Sequence, residues 1–468
     1  MQATKEKIMR EKISRSKFLI SLSLCLSIFV LSLFCLAKPL KIISSCMANN
    51  ATLQQEAPVP TVHFPKQHPA SAKPILTWTK VKGAVAYELE LATTLPEDSE
   101  ASNPNPNAFY STKKIYGNGF NADLPLDLAN NFFYWRVRGL GMEGNPISEF
   151  SDGEKVYVDY KKEVILKPIP TSIFNQDIAS VLLYPVYSWV PITGANKYEV
   201  EILDDLPENP NGIEPSEHRI DAAIITGSEY YDEKPRISDD PFYWRVRGLD
   251  EDGNPVGVYS DAGQFITNPT TMYFAVATFG NSITHGGGGM SYSPADWEYS
   301  YQHYLDFPTI NLGRSGDTTQ TMVERFDDDV LPFSPRYLII LAGTNSLRGG
   351  VPAEDVIADL LALKAKCLKN SIRPVFLTLP PINPDNIKRA FDEPTAPDWQ
   401  EQIQIVNDFI ETQVHIDITR DMDSPDGVLP TELAVDGLHL DIDGKKLMAD
   451  AINADWPRIE SLSWRDWV

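Results

Sequence analysis

Cysteine is scarce in this chain. Of the four in 468 residues, Cys25 and Cys35 lie in one apolar run, leaving only Cys46 and Cys367. No disulfide framework can be built from them. Neither has a CxxC or Cys/His spacing, so no zinc site is expected, and nothing else in the sequence calls for a cofactor. Basic side chains are also short, with 41 Lys and Arg against 64 Asp and Glu and a net charge of −23. A surface this acidic repels nucleic acid, supports solubility and suits a neutral or cationic substrate. Long hydrophobic runs are missing but for one, which excludes a polytopic membrane protein. The apolar fraction of 43% and charged fraction of 22% exclude wholesale disorder.

The one apolar run, residues 18–37, is long enough at helical rise to cross a bilayer. Before it, in residues 1–17, stand Lys5, Lys7, Arg10, Lys12, Arg15 and Lys17 against Glu6 and Glu11. That leader carries +4, so everything after it carries −27. The bias places the leader in the cytoplasm and exports the rest. Cleavage after Ala37 or near Ala48 would make the run a secretory signal, whereas its length and the long basic leader favour an uncleaved membrane anchor. Residues 38–72, rich in Ala, Gln and Pro without periodicity, read as a stalk.

The chain then repeats itself. Pro74-Ile75-Leu76-Thr77-Trp78 returns as Pro185-Val186-Tyr187-Ser188-Trp189, and Tyr87-Glu88-Leu89-Glu90 as Tyr198-Glu199-Val200-Glu201. Phe133-Tyr134-Trp135-Arg136-Val137-Arg138 returns as Phe242-Tyr243-Trp244-Arg245-Val246-Arg247. A unit of about 100 residues of alternating strands and Pro/Gly/Asn/Asp turns fits one small β-sandwich per repeat, over residues 73–160 and 161–268. Trp78 and Trp189 are natural core anchors. The Trp strand, the Tyr-x-Leu/Val strand and the late Trp-Arg-Val-Arg strand resemble the fibronectin type III pattern, which implies two immunoglobulin-like sandwiches; core packing and spacing is the favoured reading of their aromatics, and sugar binding the competing one.

From residue 269 onward the texture changes. Short apolar runs at 273–279, 337–341 and 374–379 read as parallel strands, and apolar residues at helical spacing in 353–368, 402–409 and 447–452 read as helices. Alternation of the two implies a three-layer α/β/α domain of flavodoxin-like kind over residues 269–468, with its chemistry at the strand ends.

Four segments sit at such ends. Phe279-Gly280-Asn281-Ser282-Ile283-Thr284 exposes a serine where the first strand stops. It is not the G-x-S-x-G elbow of α/β-hydrolases. Asn311-Leu312-Gly313-Arg314-Ser315-Gly316-Asp317 is a Gly-rich loop, and Leu341-Ala342-Gly343-Thr344-Asn345 delivers an amide to the same edge. In Asp436-Gly437-Leu438-His439, a spacing of three lets the carboxylate reach the imidazole and fix its tautomer. An Asp-x-x-His pair alone is common by chance; four such elements in this order are not. His285 is expected at the surface or against substrate, Gly286–Gly289 as a rim beside the pocket, and Trp297, Tyr299 and Tyr301 as core or pocket aromatics.

The four segments resemble the blocks of the SGNH (GDSL-type) hydrolases. The resemblance matches Ser282, Gly313, Asn345 and His439 to the family's four named residues, with Asp436 three residues before the histidine. It implies a serine esterase in which Ser282 is the nucleophile, and His439, supported by Asp436, the acid and base. The Ser282 and Gly313 N–H groups and the Asn345 amide would hold the oxyanion. The chain has Gly280-Asn281-Ser282 where the family commonly has Gly-Asp-Ser. Together these features predict an exported, membrane-tethered carboxylic-ester hydrolase. The module arrangement resembles that of surface glycan enzymes, which implies removal of small acyl groups, such as acetyl, from carbohydrate, with an acylated polysaccharide as partner. A lipase or lysophospholipase, or a non-catalytic surface adhesion protein, are the competing readings.

Overall fold

The computed structural model describes residues 55–97, 102–126, 128, 130–172, 182–270, 273–289, 292–422 and 426–468. The basic leader, the apolar run and the first part of the expected stalk lie outside these. Among the described residues no helix is long and apolar enough to cross a membrane.

The first repeat forms β1 (Ile75–Thr77), β2 (Ala86–Ala92), β3 (Ala108–Ile115), β4 (Gly119–Asn121), β5 (Phe132–Leu140) and β6 (Glu154–Tyr157). They pair antiparallel in the orders β3-β2-β5-β6 and β1-β4. The repeated sequence explains the register. Leu89 faces Val137 and Leu91 faces Trp135 in the core, while on the other side of the same strands Glu88 faces Arg138 and Glu90 faces Arg136. These cross-strand carboxylate–guanidinium pairs are 2.7 and 2.9 Å apart and buried, so the two alternating patterns are each satisfied on their own face.

The second repeat forms β7 (Ile169–Pro170), β8 (Val186–Val190), β9 (Lys197–Leu203), β10 (Arg219–Ile225), β11 (Glu229–Tyr231), β12 (Phe242–Leu249), β13 (Pro255–Val256) and β14 (Gly263–Phe265). β10-β9-β12-β13, with β14 also on β12, make one antiparallel sheet and β11-β8-β7 another. Glu199–Arg247 and Glu201–Arg245 repeat the ion pairs at 2.7 and 2.5 Å. The four repeat tryptophans, Trp78, Trp135, Trp189 and Trp244, are buried.

The stalk expectation fails for its described part. Thr61 N–H donates to Thr77 O at 2.9 Å, Tyr157 N–H to Phe64 O at 3.0 Å, and Ala70, which is buried, pairs beside Val158. A Pro-rich extended segment has no periodicity to read, yet its backbone groups still find partners along strand edges.

Residues 276–461 form the α/β part: β15 (Val276–Gly280), α1 (Ser282–His285), β16 (Thr309–Asn311), α2 (Thr319–Asp329), β17 (Tyr337–Leu341), α3 (Thr344–Arg348), α4 (Ala353–Lys369), β18 (Arg373–Leu377), α5 (Pro384–Phe391), α6 (Trp399–Glu411), β19 (His415–Ile416) and α7 (Ile442–Ser461). The five strands are parallel in the order β16-β15-β17-β18-β19. The order reverses at β15, so a crevice opens at the carboxyl ends of β16, β15 and β17. Ser282, the 311–317 loop and Asn345 follow those three ends.

The repeats are not detached spacers. Leu182 bridges in parallel to Asn311, and Leu183 N–H donates to Asn311 O at 3.0 Å, which extends the parallel sheet beyond β16. Leu183 and Tyr184 belong to the α/β core. The first repeat also touches it, through ion pairs Lys80–Asp296 and Lys82–Asp443 and a hydrogen bond from Tyr292 OH to Val81 O. The boundary at residue 268 therefore separates segments of sequence, not bodies.

Candidate active site

Ser282 opens α1 directly after β15. Asn281 caps that helix, its side chain accepting from Ile283 N–H at 3.0 Å. A neutral amide oxygen fills the acceptor role, which accounts for Asn at the place where Asp is common. Across the crevice, Asp436 is fully buried and its Oδ1 accepts from the N–H groups of Leu438 and His439 at 2.9 and 2.8 Å. That tight turn passes through Gly437 at φ +79°, where a side chain would strike Asn383 O. Asp436 Oδ2 lies 2.9 Å from His439 Nδ1, and His439 Nε2 lies 2.9 Å from Ser282 Oγ. Carboxylate, imidazole and hydroxyl thus form one hydrogen-bonded chain. Such a chain can remove the hydroxyl proton as the oxygen attacks and stabilise the imidazolium that results.

Asn345, at the start of α3, donates one side-chain N–H to Asp317 O at 3.0 Å and keeps a second for the pocket. Gly313 does not join it. Its N–H is spent on Asn311 Oδ1 at 2.9 Å, and a side chain at this position would strike the His285 backbone. Gly316 occupies the pocket wall beside Ser282, Asn345 and His439 instead, at φ +86°. Among the described residues none accepts from the Ser282 or Gly316 N–H. The Gly313 N–H is therefore turned away from the cavity, and Gly316, three positions on, lines it. Both glycines lie in one loop, and only the turn geometry decides which N–H faces outward.

The loop is pinned from below. Arg325 of α2 donates to Asp317 Oδ2 and Asp329 Oδ2, both at 2.6 Å, and to Leu312 O and Gly280 O at 2.9 and 3.2 Å. Tyr184 OH donates to Asp329 Oδ2 at 2.7 Å, so the second repeat completes the same buried network. A satisfied network of this kind fixes the loop carrying Gly316 and the end of β15 in one arrangement.

His285 is neither exposed nor against substrate. It is buried, its Nε2 2.7 Å from Tyr184 O and its Nδ1 accepting from Ser315 N–H at 3.2 Å. Burial pushes its pKa down to about 4, so the folded protein holds a neutral ring. The unfolded chain, with an ordinary value near 6.5, binds a proton that the fold refuses between those limits. Stability held above about pH 6.5 is then lost as pH falls toward 4, on the order of 3 kcal/mol in all. Urea unfolding of wild type at pH 7.5 and pH 5 should show this loss, and His285→Asn should flatten it; parallel slopes for the two proteins would refute the assignment.

The glycine segment does rim the pocket, but it is tied down. Gly287 N–H donates to Tyr299 O and Gly288 N–H to Tyr292 O, each at 3.1 Å. Tyr299 and Tyr301 are core residues, Tyr299 stacking on Tyr292 at 4.1 Å. Trp297 packs edge-on to His303. The cavity holds about 570 Å³, and its wall includes four residues that sequence reasoning missed: Glu229, Tyr231, Arg348 and Phe391. Arg348 is paired with Glu393 at 2.8 Å, and Phe391 stands edge-on to His439.

Residues 278–447, which hold all of these loops, match the GDSL-like Lipase/Acylhydrolase family. They are a GDSL-like acylhydrolase domain. No curated protein matches the chain. Among solved structures, the GDSL-like domain is similar to a GDSL-like lipase of Bacteroides thetaiotaomicron, 21% identical over 39% of this chain and 88% of that one, TM-score 0.33. A lipase/acylhydrolase of Enterococcus faecalis is 21% identical over 38% and 93%, TM-score 0.31. A mutant acetyl-xylooligosaccharide esterase from Geobacillus is 18% identical over 40% and 94%, TM-score 0.29.

Proposed function

We propose that the GDSL-like domain is a serine carboxylic-ester hydrolase that removes small acyl groups, acetyl foremost, from carbohydrate. The observation that carries this reading is the unbroken chain from Asp436 through His439 to Ser282 Oγ, with both links at 2.9 Å, on the wall of a cavity that also holds Asn345 and Gly316. Ser282 Oγ attacks the ester carbonyl while His439 Nε2 takes its proton. His439 then returns the proton to the departing alcohol, and water repeats the sequence on the acyl-enzyme. The Ser282 and Gly316 N–H groups and the Asn345 amide hold the oxyanion that forms in each half.

A panel of nitrophenyl esters from acetate to palmitate tests the reading. Acetate should be turned over best; preference for palmitate would sink the small-acyl part, and no turnover of any ester the whole. On the favoured ester, Asn345→Ala should lower kcat by about 100- to 1000-fold with little change in KM, because the lost bond forms only with the oxyanion. An equal rise in KM with kcat intact would remove Asn345 from that role.

The wider setting is part of the same proposal. Each repeat is read as an immunoglobulin-like sandwich of the fibronectin type III kind, supported by its two antiparallel sheets and buried tryptophans. Export and tethering through residues 18–37 rest on the basic leader and the apolar run.

A further inference from the structure

The cavity around Ser282 is not walled by the GDSL-like domain alone. Glu229 and Tyr231 of β11, in the second repeat, close one side of it. A second cavity of about 410 Å³ lies beyond, shares Tyr231, Ser315 and Gly316 with the first, and continues along the seam past Asp232, Glu233 and Arg314. Tyr231 is thus the divider between two connected hollows. Tyr231 is 40% exposed as a residue, its ring meets the buried His285 edge-to-face, and it rides on a strand paired opposite Val186 of β8.

The first repeat carries different side chains at the equivalent places. β4 of the first repeat pairs with β1 as β11 pairs with β8. There the positions opposite Thr77 and Ile75 carry Gly119 and Asn121, where the second repeat has Glu229 opposite Ser188 and Tyr231 opposite Val186. The acid and the aromatic are additions confined to the repeat whose strand faces Ser282.

We propose that the second repeat supplies the alcohol side of the substrate site, and that this alcohol is an oligosaccharide with one ring beside Ser282 and the next in the seam cavity across Tyr231. The inference rests on the ester-hydrolase reading and names its substrate more closely. A sugar ring offers an apolar face to an aromatic platform and hydroxyls to carboxylate, guanidinium and hydroxyl partners, which is what Tyr231, Glu229, Arg314 and Ser315 present. A hydrocarbon tail laid in the seam would instead strip water from the exposed Glu233 and from the part-exposed Arg314 without replacing the hydrogen bonds that water makes there.

The test uses the chain with both repeats and O-acetylated mono-, di- and tetrasaccharides of xylose and of glucose, with nitrophenyl acetate alongside. Wild type should prefer the oligosaccharide over the monosaccharide by about tenfold in kcat/KM, carried in KM. Tyr231→Ala should bring that ratio to about one, and Tyr231→Phe should restore most of it. Should the alanine variant fail to fold, competition decides: unacetylated tetrasaccharide should inhibit wild-type hydrolysis of nitrophenyl acetate at about tenfold lower concentration than the monosaccharide does. Equal handling of mono- and oligosaccharide by wild type, or an unchanged ratio in Tyr231→Ala, overturns the proposal while leaving the esterase reading standing. Failure to hydrolyse nitrophenyl acetate as well would bring down that reading too.

Discussion

Replacing Ser282 with alanine should reduce kcat on short esters by about 10⁴- to 10⁶-fold while leaving the fold in place. The chemical side of the expectation follows from the chain of bonds. Without Oγ, His439 Nε2 has no hydroxyl to deprotonate, and any residual turnover falls to water held near the same N–H donors. On the structural side, Ser282 gives up one oxygen at the wall of an open cavity, where water can take its place beside an imidazole that is 22% exposed. The melting temperature should therefore move by no more than a degree or two, in keeping with a change of about 0.5 kcal/mol. A fluorophosphonate adds a second readout. Mass spectrometry should find one adduct on the 282 peptide of wild type and none in the variant. Retention of a tenth of the wild-type rate would mean that another nucleophile does the work.

The parts of this molecule that could be read from sequence are those that repeat or sit at fixed places on the sheet. Strand β17 and helix α4 begin where their apolar patterns begin, because each buries one continuous set of side chains. The paired Glu-x-Glu and Arg-x-Arg strands betray two equivalent units. Ser282, Asn345, Asp436 and His439 could be singled out because each follows a strand end or shares one tight turn, and the fold brings Ser282, Asn345 and His439 around one cavity with Asp436 buried behind the imidazole. Gly313 could not be told from Gly316 because both belong to one loop. What separates them is whether Asn311 or the pocket receives the N–H, a matter of turn geometry. The burial of His285 is hidden from the sequence for a related reason: its partners, Tyr184 O and Ser315, come from a different repeat and a different loop. Contacts across the seam leave no periodic trace in either segment, which is also why the repeats read as spacers.

Asp436→Asn is expected to cost about 10⁴-fold in kcat without loss of stability, and the reason lies in which oxygen each donor uses. Two backbone N–H groups, from Leu438 and His439, converge on Oδ1, and only the imidazole Nδ1 faces Oδ2. In the asparagine variant the amide NH₂ cannot sit where two N–H donors already point, so its oxygen stays at the Oδ1 place and its nitrogen turns toward His439. The ring must then accept at Nδ1, which moves its own proton to Nε2. An Nε2 that carries a proton can no longer take one from Ser282, although every heavy atom stays where it was. Asp436→Ala makes the contrast. It removes the acceptor for two buried N–H groups along with the partner of the ring, and should lower stability by about 1–3 kcal/mol as well as activity. Measured together, kcat and the urea midpoint separate the two effects: inactive but stable for asparagine, inactive and less stable for alanine. An asparagine variant as active as wild type would show that the carboxylate only braces the turn, and that the imidazole finds its tautomer without it.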